Sequence, residues 1–82
     1  MREKKILTKE YSYTVIYEPV KEGGYQATVP LLPGLLTYGR DFEEAREMAR
    51  DAIRCHIGGL LKEKERIPKE TGILQEKMTI SF

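Results

Sequence analysis

Eighty-two residues carrying 14 basic and 13 acidic side chains fit one small, nearly neutral domain, residues 1–82. The size excludes a multidomain enzyme, and the charge balance lacks the broad positive field behind nonspecific nucleic-acid binding. A lone cysteine, Cys55, rules out an internal disulfide, and no Cys/His cluster offers a zinc site. Association between copies is therefore the expected support for so small a core.

The basic start, Met1 to Thr8, is followed by no apolar run of signal-peptide or membrane-spanning length, so a cytoplasmic protein is expected. The first ten residues have a weak pattern around Ile6-Leu7 that suits a frayed end or an added edge strand. From Tyr11 to Glu18 the side chains alternate. Tyr11, Tyr13, Val15 and Tyr17 face one way and Ser12, Thr14, Ile16 and Glu18 the other, which predicts a half-buried strand with an aromatic face. Pro19 to Gly24, with Gly23-Gly24, predicts a reversal. Tyr25 to Val29 alternates again and completes an antiparallel hairpin, which Pro30 ends because proline cannot donate to a ladder. Pro33-Gly34 fits the centre of a type II turn, and Leu35 to Tyr38 reads as a third strand.

Asp41, followed three residues later by Glu44, is an acidic capping box that opens a helix predicted over Asp41 to Leu61. At about 1.5 Å per residue it would span roughly 30 Å. Phe42, Ala45, Met48, Ala49, Ala52, Ile53, His56 and Leu60 recur at helical spacing as the apolar face, opposite Glu43, Arg46, Glu47, Arg50, Asp51 and Arg54. Gly58-Gly59 weakens the last turns, with a break at Ile57 as the alternative. Gly59 lies on the predicted apolar face, where it would permit a close approach. Lys62 to Gly72 is a charged connector in which Ile67-Pro68 discourages further helix. Leu74 to Phe82 places Leu, Glu, Met, Ile and Phe at even positions and Gln, Lys, Thr and Ser at odd ones, predicting a closing strand with one apolar face. The expected fold is α+β: an antiparallel three- to four-stranded sheet with one long helix on one face, in the order β-β-β-α-β.

Four strands about 4.8 Å apart outspan one helix of about 10–12 Å. Tyr11, Tyr13, Tyr17, Tyr25, Val29, Met78, Ile80 and Phe82 exceed what an alanine-rich helix face can bury, which points to a homodimer or higher oligomer. Catalytic candidates are few. His56 lies on the predicted apolar face with no Ser, Cys or Asp at i±3 or i±4, so it reads as a packed histidine with one nitrogen satisfied. Cys55 points about 100° away from it. Among the strands of the predicted hairpin only Glu18 offers a carboxylate, short of what a metal-dependent nuclease needs. No catalytic residue, metal ligand or cofactor is assigned.

The ordered set Tyr13-x-Val15-x-Tyr17, Gly24-Tyr25-x-Ala27-x-Val29-Pro30, Leu32-Pro33-Gly34, Gly39, Glu43-Glu44-Ala45, Ala49, Ala52-Ile53 and Ile67-Pro68 resembles the HicB family of prokaryotic antitoxins over roughly two-thirds of the chain. The resemblance implies a partial ribonuclease H-like fold without catalytic carboxylates. It also implies a role, neutralising a small HicA-type toxin. Such a toxin is an mRNA-cleaving ribonuclease with a double-stranded-RNA-binding-like fold and a catalytic histidine. Pro30, Pro33, Gly34, Gly39, Asp41 and Glu44 are its structural motif positions in this chain. Leu31, Leu35 and Arg40 depart from the family, which often has an acid, a cysteine and an acid there. Members that repress their own operon carry a C-terminal DNA-binding segment, and the residues up to Phe82 are not expected to supply one, so no direct nucleic-acid contact and no membrane contact are foreseen.

Against a basic RNA-cleaving toxin the acidic first half of the helix is the expected docking surface, with Glu43, Glu47 and Asp51 as its partner-binding residues. Two rivals fit the same residues. One is an orphan oligomeric scaffold or regulator without a toxin partner. The other is a small nuclease relying on Glu18.

Overall fold

The structure, a computed structural model, describes residues 10–72 and 74–82. Strands β1 (Ile16–Pro19), β2 (Tyr25–Thr28) and β3 (Leu36–Gly39) form an antiparallel sheet in the order β1-β2-β3, and the helix α1 (Phe42–Lys62) packs on β3 and β2. The edge strand suggested at Ile6-Leu7 lies outside the described residues.

The hairpin pairs Ile16 with Thr28 and Pro19 with Tyr25. Val20 donates to the Gly24 carbonyl at 3.0 Å, and Gly23 donates to the Val20 carbonyl at 3.0 Å. Since polar groups alternate along a strand, the nitrogen of Pro19 faces away from β2, and its missing N–H leaves no gap in the ladder. The corner after β2 is closed by Leu32 donating to Val29 at 2.9 Å and Leu35 to Leu32 at 3.1 Å. The second bond spans Pro33-Gly34, with Gly34 at φ 89°, the expected type II turn.

β1 is shorter than Tyr11–Glu18. Continuing its register sets Thr14 opposite Pro30, which has no N–H to give, so the ladder stops there. A residue far along the chain takes over. The Glu70 carboxylate accepts from the Thr14 N–H at 2.6 Å and from its hydroxyl at 2.5 Å, while the Tyr13 hydroxyl donates to the Pro68 carbonyl at 2.5 Å. Burial, then Tyr11 and Glu70, hold the Tyr13 phenol above its ordinary pKa, in keeping with its role as donor.

The α1 N-terminus follows the predicted cap, with one change. Asp41 accepts from the Glu44 N–H at 2.8 Å. The Glu44 carboxylate reaches past the cap residue to the Arg40 N–H at 2.6 Å and to its guanidinium at 3.0 Å. This bonding raises the Arg40 pKa and lowers that of Glu44. Replacing Asp41 by alanine should cost about 1 kcal/mol, read as a lower urea midpoint at unchanged m-value.

The helix runs through Gly58-Gly59 to Lys62, in line with the expected span to Leu61, and the alternative break at Ile57 does not occur. Two other expectations for the second half of the chain are corrected. No described group approaches Gly59 closely, since a Cβ built on it would meet nothing within 4 Å. Nor does a fourth strand occur among the described residues. Residues 74–82 pair with no strand among the described residues, leaving the order β-β-β-α. A strand needs a neighbouring edge. Here the connector is pinned to Tyr13 and Thr14, after which Gly72, at φ 67°, redirects the chain.

The core consists of Ala27, Val29, Leu32, Ala45, Ala49 and Ile57. Alanines on both sides let helix and sheet approach closely, and Leu32 is the large side chain enclosed completely.

Candidate functional site

His56 is exposed and Ile57 is buried in its place. The inward positions of α1 are Ala45, Ala49, Ile53 and Ile57, each four residues after the last. Such a row winds about 40° around the helix per step, so the inner face drifts and leaves His56 outside by the fourth turn. Met48 and Phe42, also assigned inward, are 44% and 46% exposed. Phe42 is used differently. It packs edge-to-face with Tyr17 and Tyr25 at centroid distances of 4.8 and 5.8 Å, and the Arg46 guanidinium lies 5.9 Å from its centroid.

Glu43, Glu47 and Asp51 are all exposed and repeat every four residues, so they form one acidic stripe along α1. Asp51 is partly engaged by Arg54 at 3.6 Å, an exposed contact of little energetic weight. Among the described residues neither Glu43 nor Glu47 has an ion-pair partner. The stripe is thus a set of solvated carboxylates on a rigid rod, able to meet a positively charged surface at the cost of little desolvation.

The motif positions divide by role. Pro30, Pro33 and Gly34 shape the exposed corner, Gly39 is buried under the first turn of α1, and Asp41 and Glu44 cap that turn. Cys55 and His56 line an open depression of about 360 Å³ with Pro33, Gly34, Leu35 and Ala52. Glu18 accepts from the Gln26 amide at 3.2 Å as an exposed cross-strand pair. No group of three His, Cys, Asp or Glu residues suited to a metal occurs among the described residues.

A trough of mixed polar and apolar lining also runs along the segment that leads into β1, which the sequence pattern announces only in halves. Because α1 sits over β3 and β2, the inner face of Tyr11, Tyr13, Val15 and Tyr17 is left open against Ala49 and Ile53, a volume of about 390 Å³ rimmed by Arg46 and Arg50. It continues past Ile57 to Leu61 through a further volume of about 380 Å³, with Arg54 at its border. The repeat Ala49, Ile53, Ile57, Leu61 was the available signal, but only the helix crossing shows that it meets the tyrosine face.

Residues 13–82 match a family model described as HicB_like antitoxin of bacterial toxin-antitoxin system. The chain is 40% identical over 65 residues to UPF0150 protein ssr1765 of Synechocystis sp., covering 79% of this chain and 82% of that protein. It is 38% identical over 68 residues to UPF0150 protein Ta0767 of Thermoplasma acidophilum, covering 83% and 94%. With Antitoxin HicB 1 of Photorhabdus laumondii it shares 41% identity over 64 residues, 78% of this chain but only 41% of that protein. No helix among the described residues is long and apolar enough to cross a membrane. The three-stranded sheet backed by one helix thus carries an antitoxin sequence pattern over most of its length, and the chain belongs to the HicB-like antitoxin family of bacterial toxin-antitoxin systems.

Proposed function

We propose that this protein binds a small HicA-type mRNA-cleaving toxin and neutralises it by covering its active site, acting in the cytoplasm as a non-catalytic partner. The observation that carries this reading, beyond family membership, is the stripe of Glu43, Glu47 and Asp51, exposed along one rigid helix. An RNA-cleaving toxin needs a basic surface for its substrate, and a row of carboxylates laid on that surface both competes with RNA and fixes orientation. Occlusion of this kind needs no reacting group on the antitoxin.

The test is the triple substitution Glu43→Lys, Glu47→Lys, Asp51→Lys, with the toxin taken from the neighbouring gene and binding followed by titration calorimetry at two salt concentrations. Affinity should fall by about 100-fold or more, since close charge pairs at interfaces couple by roughly 1.5 kcal/mol and upward. The wild-type complex should also weaken as salt rises. Unchanged affinity in a variant with normal helix content would remove the stripe from the interface.

A further inference from the structure

The two outer strands of the sheet present different edges. Hydrogen-bonded pairs alternate along an antiparallel ladder, and the bond from Val20 to the Gly24 carbonyl sets their phase. Ile16 and Glu18 therefore bond across to β2, while Tyr17 and Pro19 turn their polar groups outward. Proline has no N–H, and the connector is bound to Tyr13 and Thr14 just before β1, so that edge is blunted. Carried across β2, the same phase makes Ala27 with Thr37 and Tyr25 with Gly39 the hydrogen-bonded pairs. Leu36 and Tyr38 are left with N–H and C=O directed away from the sheet, and among the described residues no strand lies beyond them. Nothing in Leu36 to Gly39 guards this edge, since the strand holds neither a proline nor a charge.

The surroundings of the β3 edge are uncovered as well. Leu36 is 61% exposed on the outer face of the sheet. The Tyr38 ring is tied back over the hairpin by its hydroxyl, which donates to the Gly23 carbonyl at 2.7 Å, so it does not fold across the edge. On the helix side of the strand the Thr37 hydroxyl is buried with no hydrogen-bond partner among the described residues, a costly state that a neighbouring polar group would relieve. Met48, Ala52 and His56 follow every four residues along the flank of α1 opposite Arg46 and Arg50. Ala52 and His56 border the depression beside Pro33, Gly34 and Leu35, the corner that leads into β3.

We propose that β3 pairs antiparallel with β3 of a second copy about a two-fold axis at Thr37, giving one six-stranded sheet with both helices on the same face. The edge is self-complementary. Leu36 and Tyr38 exchange backbone bonds with Tyr38 and Leu36 of the second copy, and their side chains pair, aliphatic on aromatic, on the outer face. The two Thr37 residues meet as a close non-hydrogen-bonded pair, with Cα atoms about 4.5 Å apart, where each hydroxyl finds the other. Because α1 lies over β3 and β2, a strand spacing of about 4.8 Å across the axis sets the two helix axes roughly 10 Å apart, at packing distance for a flank with Ala52 in its middle. Strand edge and helix flank together would bury on the order of 1,000 Å², the lower size class of a specific interface. An uncharged edge offers no attraction to a basic toxin, and a net charge of +1 per chain sets little repulsion between copies. The inference goes beyond toxin binding and uses none of Glu43, Glu47 and Asp51, so either can fail without the other.

The test is the mass of the full 82-residue chain by light scattering and sedimentation at micromolar concentration and two salt concentrations. Wild type should show at least twice the 9.5 kDa chain mass, with no weakening as salt rises. Leu36→Pro removes an outward N–H and leaves the ladder to β2 intact, and Leu36→Lys puts a charge on the edge. Each should raise the dissociation constant by about 100-fold or more, with unchanged helix content by circular dichroism. Thr37→Val should weaken association by about fivefold, whereas a hydroxyl buried without a partner in the assembled protein would make that change neutral or stabilising. Thr37→Cys in a Cys55→Ser background should give a covalent dimer on mild oxidation, because the spacing across the axis suits a disulfide. A monomeric wild type, association indifferent to both Leu36 variants, or a Thr37→Cys chain that fails to cross-link would overturn the proposal. Leu36 variants that keep their mass but lose affinity for the toxin would do the same, and would give the edge to the toxin.

Discussion

Replacing Gly39 by alanine should destabilise the protein by on the order of 3 kcal/mol, out of a total that for a domain of this size is about 4–12 kcal/mol. Gly39 ends β3 directly beneath the start of α1, and it is buried. A Cβ at that position would overlap the backbone nitrogen of Ala45 and lie 2.5 Å from its Cα and 2.7 Å from the Glu44 carbonyl carbon. Those atoms belong to the helix backbone, which no rotamer change can move aside. The first turn would have to lift as a body. It is held down by the Asp41 cap, by the Glu44 bonds to Arg40 and by the burial of Ala45 and Ala49. The thermal midpoint should drop by roughly 12–24 °C, taking about 4–8 °C per kcal/mol. A drop of a few degrees would mean that strand and helix are farther apart than the structure has them.

Leu32→Ala should cost about 3–5 kcal/mol, the upper part of the range for buried leucines. Two properties place it there. Leu32 is the large side chain wholly enclosed between sheet and helix, so its removal deletes a major share of a small core. The backbone around it cannot collapse easily, because Leu32 both donates to Val29 and accepts from Leu35 in successive turns. A corner clamped in this way keeps the cavity open, and the cavity term is then paid in full. Urea titration followed by circular dichroism should show a much lower midpoint, and a loss below about 1 kcal/mol would show that the corner repacks. Since the same corner leads into β3 and the helix cap, Leu32→Ala should weaken partner binding only in proportion to the unfolded fraction.

The hairpin at Gly23-Gly24, the type II turn at Pro33-Gly34, the cap at Asp41 and the helix that follows were legible in the residues alone, because each depends on groups within four residues of one another. So was the acidic stripe, which needs only the helical repeat. Four features depended on distant partners and were settled by tertiary structure. β1 is short because Pro30 would face Thr14, whose N–H is then met by Glu70, 56 positions away. Ile57 rather than His56 is inside because the line of contact drifts around the helix along its every-fourth-residue row. The trough exists because α1 covers β3 and β2 and leaves the β1 side open. Residues 74–82 have the alternation of a strand but no strand among the described residues to pair with, because pairing is a property of two segments and alternation is a property of one.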